Sequence, residues 1–416
     1  MPAWRLVAGV AGLALALTAA GAVVGGEGPE GPEGPAAPAA AAGRDPGAWA
    51  ELGAGYVEEA RVSGDPSRYT RAEDAFARSL RLRQADDNPE ALAGRGALAA
   101  ARHDFPAALR DAERALAVNP YSERALAVRI DALVELGRYG EALSAARQAD
   151  ARRPGIPVFT RFAYVHELRG DAKEARRILE LALSSAARPA DIAYTATALG
   201  QLAWNEGAYE EALRHCAHAL RAEPGNLEAR ECRARALAGT GDPAGATREF
   251  EEIVERSPLP GRLVALGELY EAGGERRRAE QQYAVVGTWT GLARAGGVNP
   301  DLDTALAAAD HGDRAEALRA ARAEWQRRRT VHTEDALAWA LHRSGRSKEA
   351  LAHAGRATST GYRNATFLYH RGMIQRAVGD KAGARASLSR ALALNPAFSP
   401  LGSREARRAL DALERP

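Results

Sequence analysis

The chain has 416 residues, more than one compact core usually holds, which predicts either several domains or a repeat architecture. Alanine and leucine dominate and β-branched and aromatic residues are scarce, a composition typical of helices joined by short turns. The 56 basic and 54 acidic residues give a net charge of +2 and are interspersed, which argues against a nucleic-acid-binding surface.

The N-terminal segment has the pattern of an export or anchoring sequence. Arg5 precedes an unbroken run of small and apolar residues that extends from Leu6 to Val24. This pattern is typical of a secretory signal peptide, and the run is also long enough for a thinly spanning membrane helix. We expect residues 1–24 to be a signal peptide or an N-terminal membrane anchor, and residues 25–46 to be a disordered Gly/Pro/Ala linker. The expected localisation is extracytoplasmic, either secreted or anchored to the cell membrane.

From about residue 47 the sequence repeats with a period near 34. Pro120 and Pro154 are 34 residues apart, and so are Pro224 and Pro258. Between the prolines, glycines recur in step at Gly137, Gly170, Gly207, Gly241, Gly312, Gly345 and Gly379. Each glycine suits the left-handed turn that ends a first helix, and each proline ends a second helix. The pattern predicts about ten helical hairpins, with first helices beginning near residues 47, 89, 123, 157, 193, 227, 261, 299, 331 and 365.

The motifs within this period resemble the tetratricopeptide repeat family. Trp49, Leu52, Gly53 and Tyr56 match its W-x2-L-G-x2-Y signature, and residues 263–270 are similar. The second-helix pattern A-x3-F recurs at Ala72 and Phe76, Ala246 and Phe250, and, with tyrosine, Ala279 and Tyr283. The resemblance extends from about residue 47 to 398. The excess of arginine over lysine is typical of GC-rich, actinobacterial-like genomes.

The resemblance implies an all-α, right-handed superhelical solenoid of about ten hairpins. We expect an N-terminal array over residues 47–300 and a C-terminal array over residues 301–416. The latter ends in a capping helix from Ser403, which an open-ended solenoid needs. The seventh hairpin is irregular over residues 287–300, which predicts either a hinge or one long second helix.

No catalytic motif is present. The sequence lacks a phosphate-binding glycine loop, a nucleophile elbow and a zinc-binding helix, so we expect no enzymatic activity and no cofactor. Cys216 and Cys232 form no metal-binding or redox motif. Two small buried thiols are the favoured interpretation, and a single disulfide is the alternative.

Candidate binding residues lie on the stripe of each first helix at repeat positions 2, 5, 9 and 12, away from the packing stripe. The resemblance implies that this stripe lines a concave groove. Aromatic, histidine and arginine side chains gathered there are typical of binding surfaces. The candidates are Tyr194, Thr197, Gln201, Trp204, Asn205, His332, Asp335, Trp339, His342, Arg343, Tyr369, His370, Met373 and Arg376. Trp339 is the candidate apolar anchor, with Arg343 and Arg376 available to a partner's carboxylates.

The sequence therefore predicts a non-catalytic scaffold or assembly factor that binds a protein or peptide partner in its groove. The alternative is an accessory to solute or metal-ion handling, in which His332, Asp335 and His370 or Tyr369 contribute to a ligand site. The Lys, Asn and Arg set with which one subfamily grips C-terminal carboxylates is absent. The sequence identifies neither the partner nor the oligomeric state.

Overall fold

The structure is a computed structural model that describes residues 43–63 and 67–414. These residues form twenty-one α-helices and a short 3₁₀ helix, Ala85–Asp87, without any β-strand. The all-α prediction is thus confirmed, whereas the handedness of the superhelix stays a prediction. The predicted export or anchoring segment and residues 25–42 of the predicted linker lie outside the described residues.

Ten helices begin within four residues of the predicted starts of first helices. They are α1 (Pro46–Ser63), α3 (Pro89–Ala101), α5 (Glu123–Glu135), α7 (Ile156–Leu168), α9 (Pro189–Asn205), α11 (Leu227–Thr240), α13 (Pro260–Ala272), α15 (Asp301–His311), α17 (Val331–Arg343) and α19 (Ala365–Ala377). The agreement follows from local signals, because the turn glycines and the prolines between hairpins mark helix boundaries.

Each first helix is followed by a second helix. These are α2 (Ser67–Leu82), α4 (Phe105–Val118), α6 (Tyr139–Arg152), α8 (Ala172–Ser185), α10 (Tyr209–Ala222), α12 (Pro243–Arg256), α14 (Arg276–Ala295), α16 (Arg314–Arg327), α18 (Ser347–Ala357) and α20 (Lys381–Leu394). The last helix, α21 (Gly402–Glu414), lies where the capping helix is predicted. The irregular seventh hairpin contains one continuous 20-residue helix, α14.

The turn glycines behave as predicted at six of the seven positions. Gly137, Gly170, Gly207, Gly241, Gly345 and Gly379 all have positive φ, between 74° and 92°. Gly312 is the exception, with φ of −147°, so the left-handed prediction is wrong there. The reason is that α15 continues to His311, and Asp313 directly caps α16. In the second hairpin His103 takes the left-handed position instead, with φ of 63°.

The signature glycines let the two helices of a hairpin approach closely. A Cβ atom added to Gly53 would lie 2.7 Å from the Phe76 ring, and one added to Gly267 would lie 2.2 Å from the Tyr283 ring. Both distances are well inside van der Waals contact, so only glycine fits without movement. The glycine of W-x2-L-G-x2-Y and the aromatic residue of A-x3-F therefore form one packing contact.

The helices group into two compact units. One contains the described residues up to 162 together with 292–299, and the other contains 163–291 and 300–414. The predicted division at residue 300 stays a prediction. In the second unit, buried side chains of α15 to α21 form one apolar cluster that includes Leu337, Trp339 and Leu388.

Connections that are far apart in sequence meet within the second unit. The Asn395 side chain donates a hydrogen bond to the Trp204 carbonyl (2.7 Å) and accepts one from the Tyr209 hydroxyl (2.6 Å). Ser399 donates to the Glu268 carboxylate at 2.7 Å. The loops around α20 and α21 are therefore fixed against hairpins five and seven.

Small residues at the hairpin contacts predict a stability effect. Ala212 and Ala350 are fully buried in second helices. Leucine at either position should overpack the helix pair and lower the free energy of unfolding by about 1–3 kcal/mol. Urea unfolding measures this, and Ala352→Leu, at an exposed site on α18, is the matched control. Unchanged midpoints for both buried-site variants would contradict the packing.

A disulfide joins Cys216 of α10 to Cys232 of α11. This is the alternative interpretation that the sequence left open. The bond is buried against Gly200 of α9, where an added Cβ atom would lie 2.7 Å from the Cys232 Sγ atom. Free thiols, the favoured interpretation, were wrong because sequence spacing does not show that the two Cα atoms lie 6.1 Å apart.

The disulfide closes a segment of 16 residues, for which chain entropy predicts a contribution of about 3 kcal/mol. Reduction should therefore lower the urea midpoint of the protein. The Cys216→Ala/Cys232→Ala variant should start from a lower midpoint and be insensitive to the reductant. A wild-type midpoint that is unchanged after complete reduction would contradict this expectation.

Candidate functional site

Trp339 lies at the centre of the candidate residues of hairpins nine and ten. Its side chain is 2% exposed, and its indole Nε1 donates a hydrogen bond to Asp310 Oδ2 at 2.9 Å. The ring stacks on His370 of α19, with centroids 4.0 Å apart and an interplanar angle of 13°. Trp339 therefore joins three successive first helices, α15, α17 and α19, and only a small part of it is open to a ligand.

The polar candidates beside Trp339 are paired with each other or with neighbouring helices. His370 Nδ1 lies 2.9 Å from the Asp335 carboxylate, and both residues are buried. The Tyr369 hydroxyl donates to Glu405 of α21 at 2.6 Å, and burial raises the pKa of this tyrosine far above its usual value. Buried polar groups need such partners, so these side chains stabilise the helix stack.

A surface cavity of about 310 Å³ lies beside this buried cluster. Arg314, His342, Arg343 and Gly345 line it, and we call it the arginine cavity. Arg343 is partly exposed; its Nε atom donates to the Ala309 carbonyl at 3.1 Å and lies 3.2 Å from the Asp310 carboxylate. The guanidinium group lies 5.7 Å from the Trp339 ring centroid. The side chain of Arg343 is therefore held in place beside the opening.

The other two side chains of the arginine cavity differ in charge. Burial lowers the pKa of His342 to about 4, and the positive charge of Arg343 acts in the same direction. His342 is therefore neutral at pH 7, and its Nδ1 atom lies 2.9 Å from the Ser347 hydroxyl. Arg314 is exposed and forms no ion pair within the described part of the chain. The cavity thus presents two guanidinium groups and one neutral imidazole.

The candidate residues of the fifth hairpin form a separate polar chain. Gln201 donates to Asn205 at 3.1 Å, and Asn205 donates to Glu167 of α7 at 2.8 Å. Burial raises the pKa of Glu167 to about 7, against the opposing effect of the hydrogen bond from Asn205. Thr197 donates to the backbone of its own helix. These contacts account for the polar candidates of α9 without a ligand.

The aromatic candidates of α9 are partly exposed. The Arg235 guanidinium lies 5.5 Å from the Trp204 ring centroid. The Trp204 indole nitrogen is buried and has no hydrogen-bond partner in the described residues. Tyr194 is also partly exposed. Hairpin five thus retains an aromatic surface.

The remaining candidates divide between the surface and the interior. Burial lowers the pKa of His332 to about 4, and its ring contacts the rings of Tyr362 and Phe367. Met373 is buried and Arg376 is exposed. His332 therefore does not join the pair formed by Asp335 and His370. Within the described residues no group of three His, Cys, Asp or Glu side chains is arranged to hold a metal ion.

Sequence reasoning missed three residues of this region. Asp310 accepts the Trp339 hydrogen bond, Glu405 accepts that of Tyr369, and Arg314 lines the arginine cavity. Asp310 and Arg314 flank the glycine turn of the eighth hairpin, outside the stripe from which the candidates were chosen.

Among the described residues, no helix is both long enough and apolar enough to cross a membrane. The apolar run that begins at Leu6 is not among these residues, so the anchoring prediction stays untested.

The family model described as a tetratricopeptide repeat matches residues 365–398. These residues contain α19, α20 and the start of the following connection. No curated protein matches the chain significantly. Repeats of this type generally form non-catalytic scaffolds that bind protein partners.

Solved structures with helical repeats resemble the chain. A tetratricopeptide repeat protein from Thermus thermophilus is 27% identical, covering 41% of this chain and 91% of its own, with a TM-score of 0.38. One from Parabacteroides merdae is 19% identical, covering 62% and 99%, with a TM-score of 0.36. Human IFIT1, solved with PPP-AAAA, is 14% identical, covering 84% and 94%, with a TM-score of 0.48. These similarities concern helical repeats and do not indicate a function for this chain. The match to the family model is confined to the tenth hairpin.

Proposed function

We propose that this protein is a non-catalytic scaffold that binds a protein partner, and that the arginine cavity takes a carboxylate of that partner. The observation that carries the proposal is the exposed, unpaired guanidinium of Arg314 beside the fixed guanidinium of Arg343. Two adjacent guanidinium groups favour a carboxylate because each offers charge-assisted hydrogen bonds in a planar geometry.

The neutral state of His342 adds to the selectivity of the cavity. Its imidazole has a lowered pKa, so at pH 7 it adds no third positive charge, and because its Nδ1 atom pairs with Ser347 it offers one ring nitrogen to a ligand. A single carboxylate with a neighbouring backbone amide suits this combination better than a highly charged anion. The ligand class is therefore an acidic side chain or a chain terminus of a protein or peptide.

An extracytoplasmic location completes the proposal. The apolar run from Leu6 to Val24 is typical of export, and the disulfide between Cys216 and Cys232 is of the kind that persists in oxidising compartments. The two observations are independent, since one depends on the N-terminal sequence and the other on the packing of α10 against α11. Both support our proposal that the scaffold works outside the cytoplasm, in a bacterial envelope or secreted from it.

The test uses the whole chain and a fluorescein-labelled hexaglutamate peptide, with hexalysine as the opposite charge. Arg314→Ala should weaken hexaglutamate binding about tenfold, the loss expected for one charged hydrogen bond. Arg319→Ala, an exposed arginine on the same helix, is the matched control and should leave binding unchanged. Equal losses for the two variants would mean that general charge, and not the cavity, binds the peptide.

The same pair of variants identifies the partner. Proteins that co-purify with the wild type and with Arg319→Ala, but not with Arg314→Ala, are the expected partners. If no protein shows this dependence, the cavity is not the docking site for a protein.

A further inference from the structure

The connection between α18 and α19, residues 358–364, packs against hairpins four and five of the same unit. A Cβ atom added to Gly170, in the turn after α7, would lie 2.5 Å from the carbonyl oxygen of Gly361, so the two backbones are in direct contact. Arg363 of the connection donates to the carboxylate of Glu206, directly after α9, at 3.1 Å. We call this contact between the connection and the two hairpins the seam.

Glu167, in the last turn of α7, lies beside the seam. Its carboxylate accepts a hydrogen bond from Asn205, the last residue of α9, at 2.8 Å. It forms no ion pair within the described residues. Asn205 is followed by Glu206, which the connection contacts, and Gly170 follows Glu167 by three residues. The connection therefore passes the ends of both helices between which the Glu167 carboxylate lies.

A negative charge on Glu167 is unfavourable at this position. The helix dipole opposes a carboxylate in the last turn of a helix, and Glu167 meets the C-terminal ends of both α7 and α9. Glu206 has a similar position but two basic partners, Arg176 at 2.9 Å and Arg363 at 3.1 Å. Burial raises the pKa of Glu167 to about 7, the hydrogen bond from Asn205 opposes this effect, and the charge of Glu206 adds to it.

Other charged or titratable side chains around the seam lie on α7, α8 and α10 and in the turn after α7. They are His166, Arg169, Asp171, Arg176, Glu211 and His215. Arg176 pairs with Glu211, and His166 Nδ1 lies 3.5 Å from the Asp171 carboxylate. Burial lowers the pKa of His215. Histidine in general changes charge between about pH 5 and pH 8, so both histidines need controls.

We propose that Glu167 is a pH-dependent latch on the connection between α18 and α19. With its proton bound, the neutral carboxyl group is compatible with the closed seam. Without the proton, the carboxylate faces Glu206 and two helix C-termini, and the connection moves away so that water reaches the charge. The latch controls access to the ends of α7 and α9, where Trp204 and Asn205 of the hairpin-five surface lie, and the freedom of the connection that leads into hairpin ten.

The sign of the effect follows from the two states of the seam. In the open seam Glu167 is solvated and loses its proton near pH 4, whereas in the closed seam it does so near pH 7. Glu167 therefore does not oppose the closed seam below about pH 4. Its cost to the closed seam grows as the pH rises and reaches its full value above about pH 7.

The test measures hydrogen–deuterium exchange of residues 358–364 in the full chain by mass spectrometry, with each variant and the wild type compared at the same pH. At about pH 5, Glu167→Gln should exchange nearly like the wild type. At about pH 8, the wild type should exchange at least about threefold faster than Glu167→Gln, because glutamine keeps the seam neutral. Arg363→Ala removes the ion pair of the seam and should accelerate exchange at both pH values.

Three controls identify the titrating group. Glu210→Gln, at an exposed site on α10, His166→Gln and His215→Gln should all retain the wild-type response to pH. Asn205→Ala provides a test that does not depend on the folding of Glu167→Gln. It removes the hydrogen bond that lowers the pKa of Glu167, so protection should continue to fall above about pH 7, where that of the wild type has levelled off.

Any of three results would overturn the proposal. The first is equal exchange of the wild type and Glu167→Gln at about pH 8. The second is a pH response that disappears in one of the histidine variants and persists in Glu167→Gln. The third is a pH response of Asn205→Ala that is the same as that of the wild type.

Discussion

Replacing Trp339 with alanine should lower the free energy of unfolding by about 3–5 kcal/mol, as expected for truncation of a fully buried tryptophan. The indole is 2% exposed, stacks on His370 and donates to Asp310. Its removal opens a cavity between three first helices and leaves the Asp310 carboxylate without that donor. Chemical unfolding, followed by far-ultraviolet circular dichroism, measures the loss.

Two further variants separate the causes. Leu337→Ala, at a position that is 3% exposed on the same helix, should cost about 2–5 kcal/mol and provides the scale for a core residue. Trp339→Phe retains most of the ring volume but lacks the Nε1 donor, so it should cost only about 1–3 kcal/mol. A Trp339→Ala protein that unfolds like the wild type would mean that the indole lies on an open groove, as the sequence pattern suggests.

The hairpins were predictable because their boundaries depend on local signals. The 34-residue spacing of prolines and the recurring glycines placed the start of α17 at residue 331 and that of α19 at residue 365. The start of α9 was predicted four residues late, because Pro189 begins that helix and no repeat phase marked it. An overlooked local signal is the aspartate after the turn glycine. Asp171 and Asp380 cap the next helix through side-chain hydrogen bonds.

The candidate site was less predictable because it depends on contacts between hairpins. Repeat positions 2, 5, 9 and 12 identify a stripe on a single helix, but not how much of it the next hairpin covers. Asp335 and Trp339 lie on this stripe and are nevertheless buried, since His370 from the next first helix packs against both. A period in the sequence does not show which residues of neighbouring hairpins pack against these two, and those partners are 29 or more residues away. Of the candidates, Arg376 is exposed, and those that remain partly exposed are Tyr194, Thr197, Trp204, Asn205, His332, His342 and Arg343.

Asp303→Asn should make the protein more stable at about pH 8, by up to about 4 kcal/mol, while changing little at about pH 4. Asp303 of α15 is 5% exposed, and its Oδ1 atom has no hydrogen-bond partner within the described residues. Burial raises the pKa of this carboxyl group to about 7, and the nearby Glu324 acts in the same direction.

In the unfolded chain the carboxyl group of Asp303 loses its proton near pH 4. Below about pH 4 this carboxyl group is protonated in both states and does not oppose folding. Its free-energy cost to the folded state grows as the pH rises and reaches its full value above about pH 7. Asparagine has no such charge, so the difference in urea midpoint between variant and wild type should widen as the pH rises. Asp411→Asn, at an exposed site on α21, removes the same charge from the surface and is the control. A difference for Asp303→Asn that widens with pH no more than that of the control would contradict the raised pKa of Asp303.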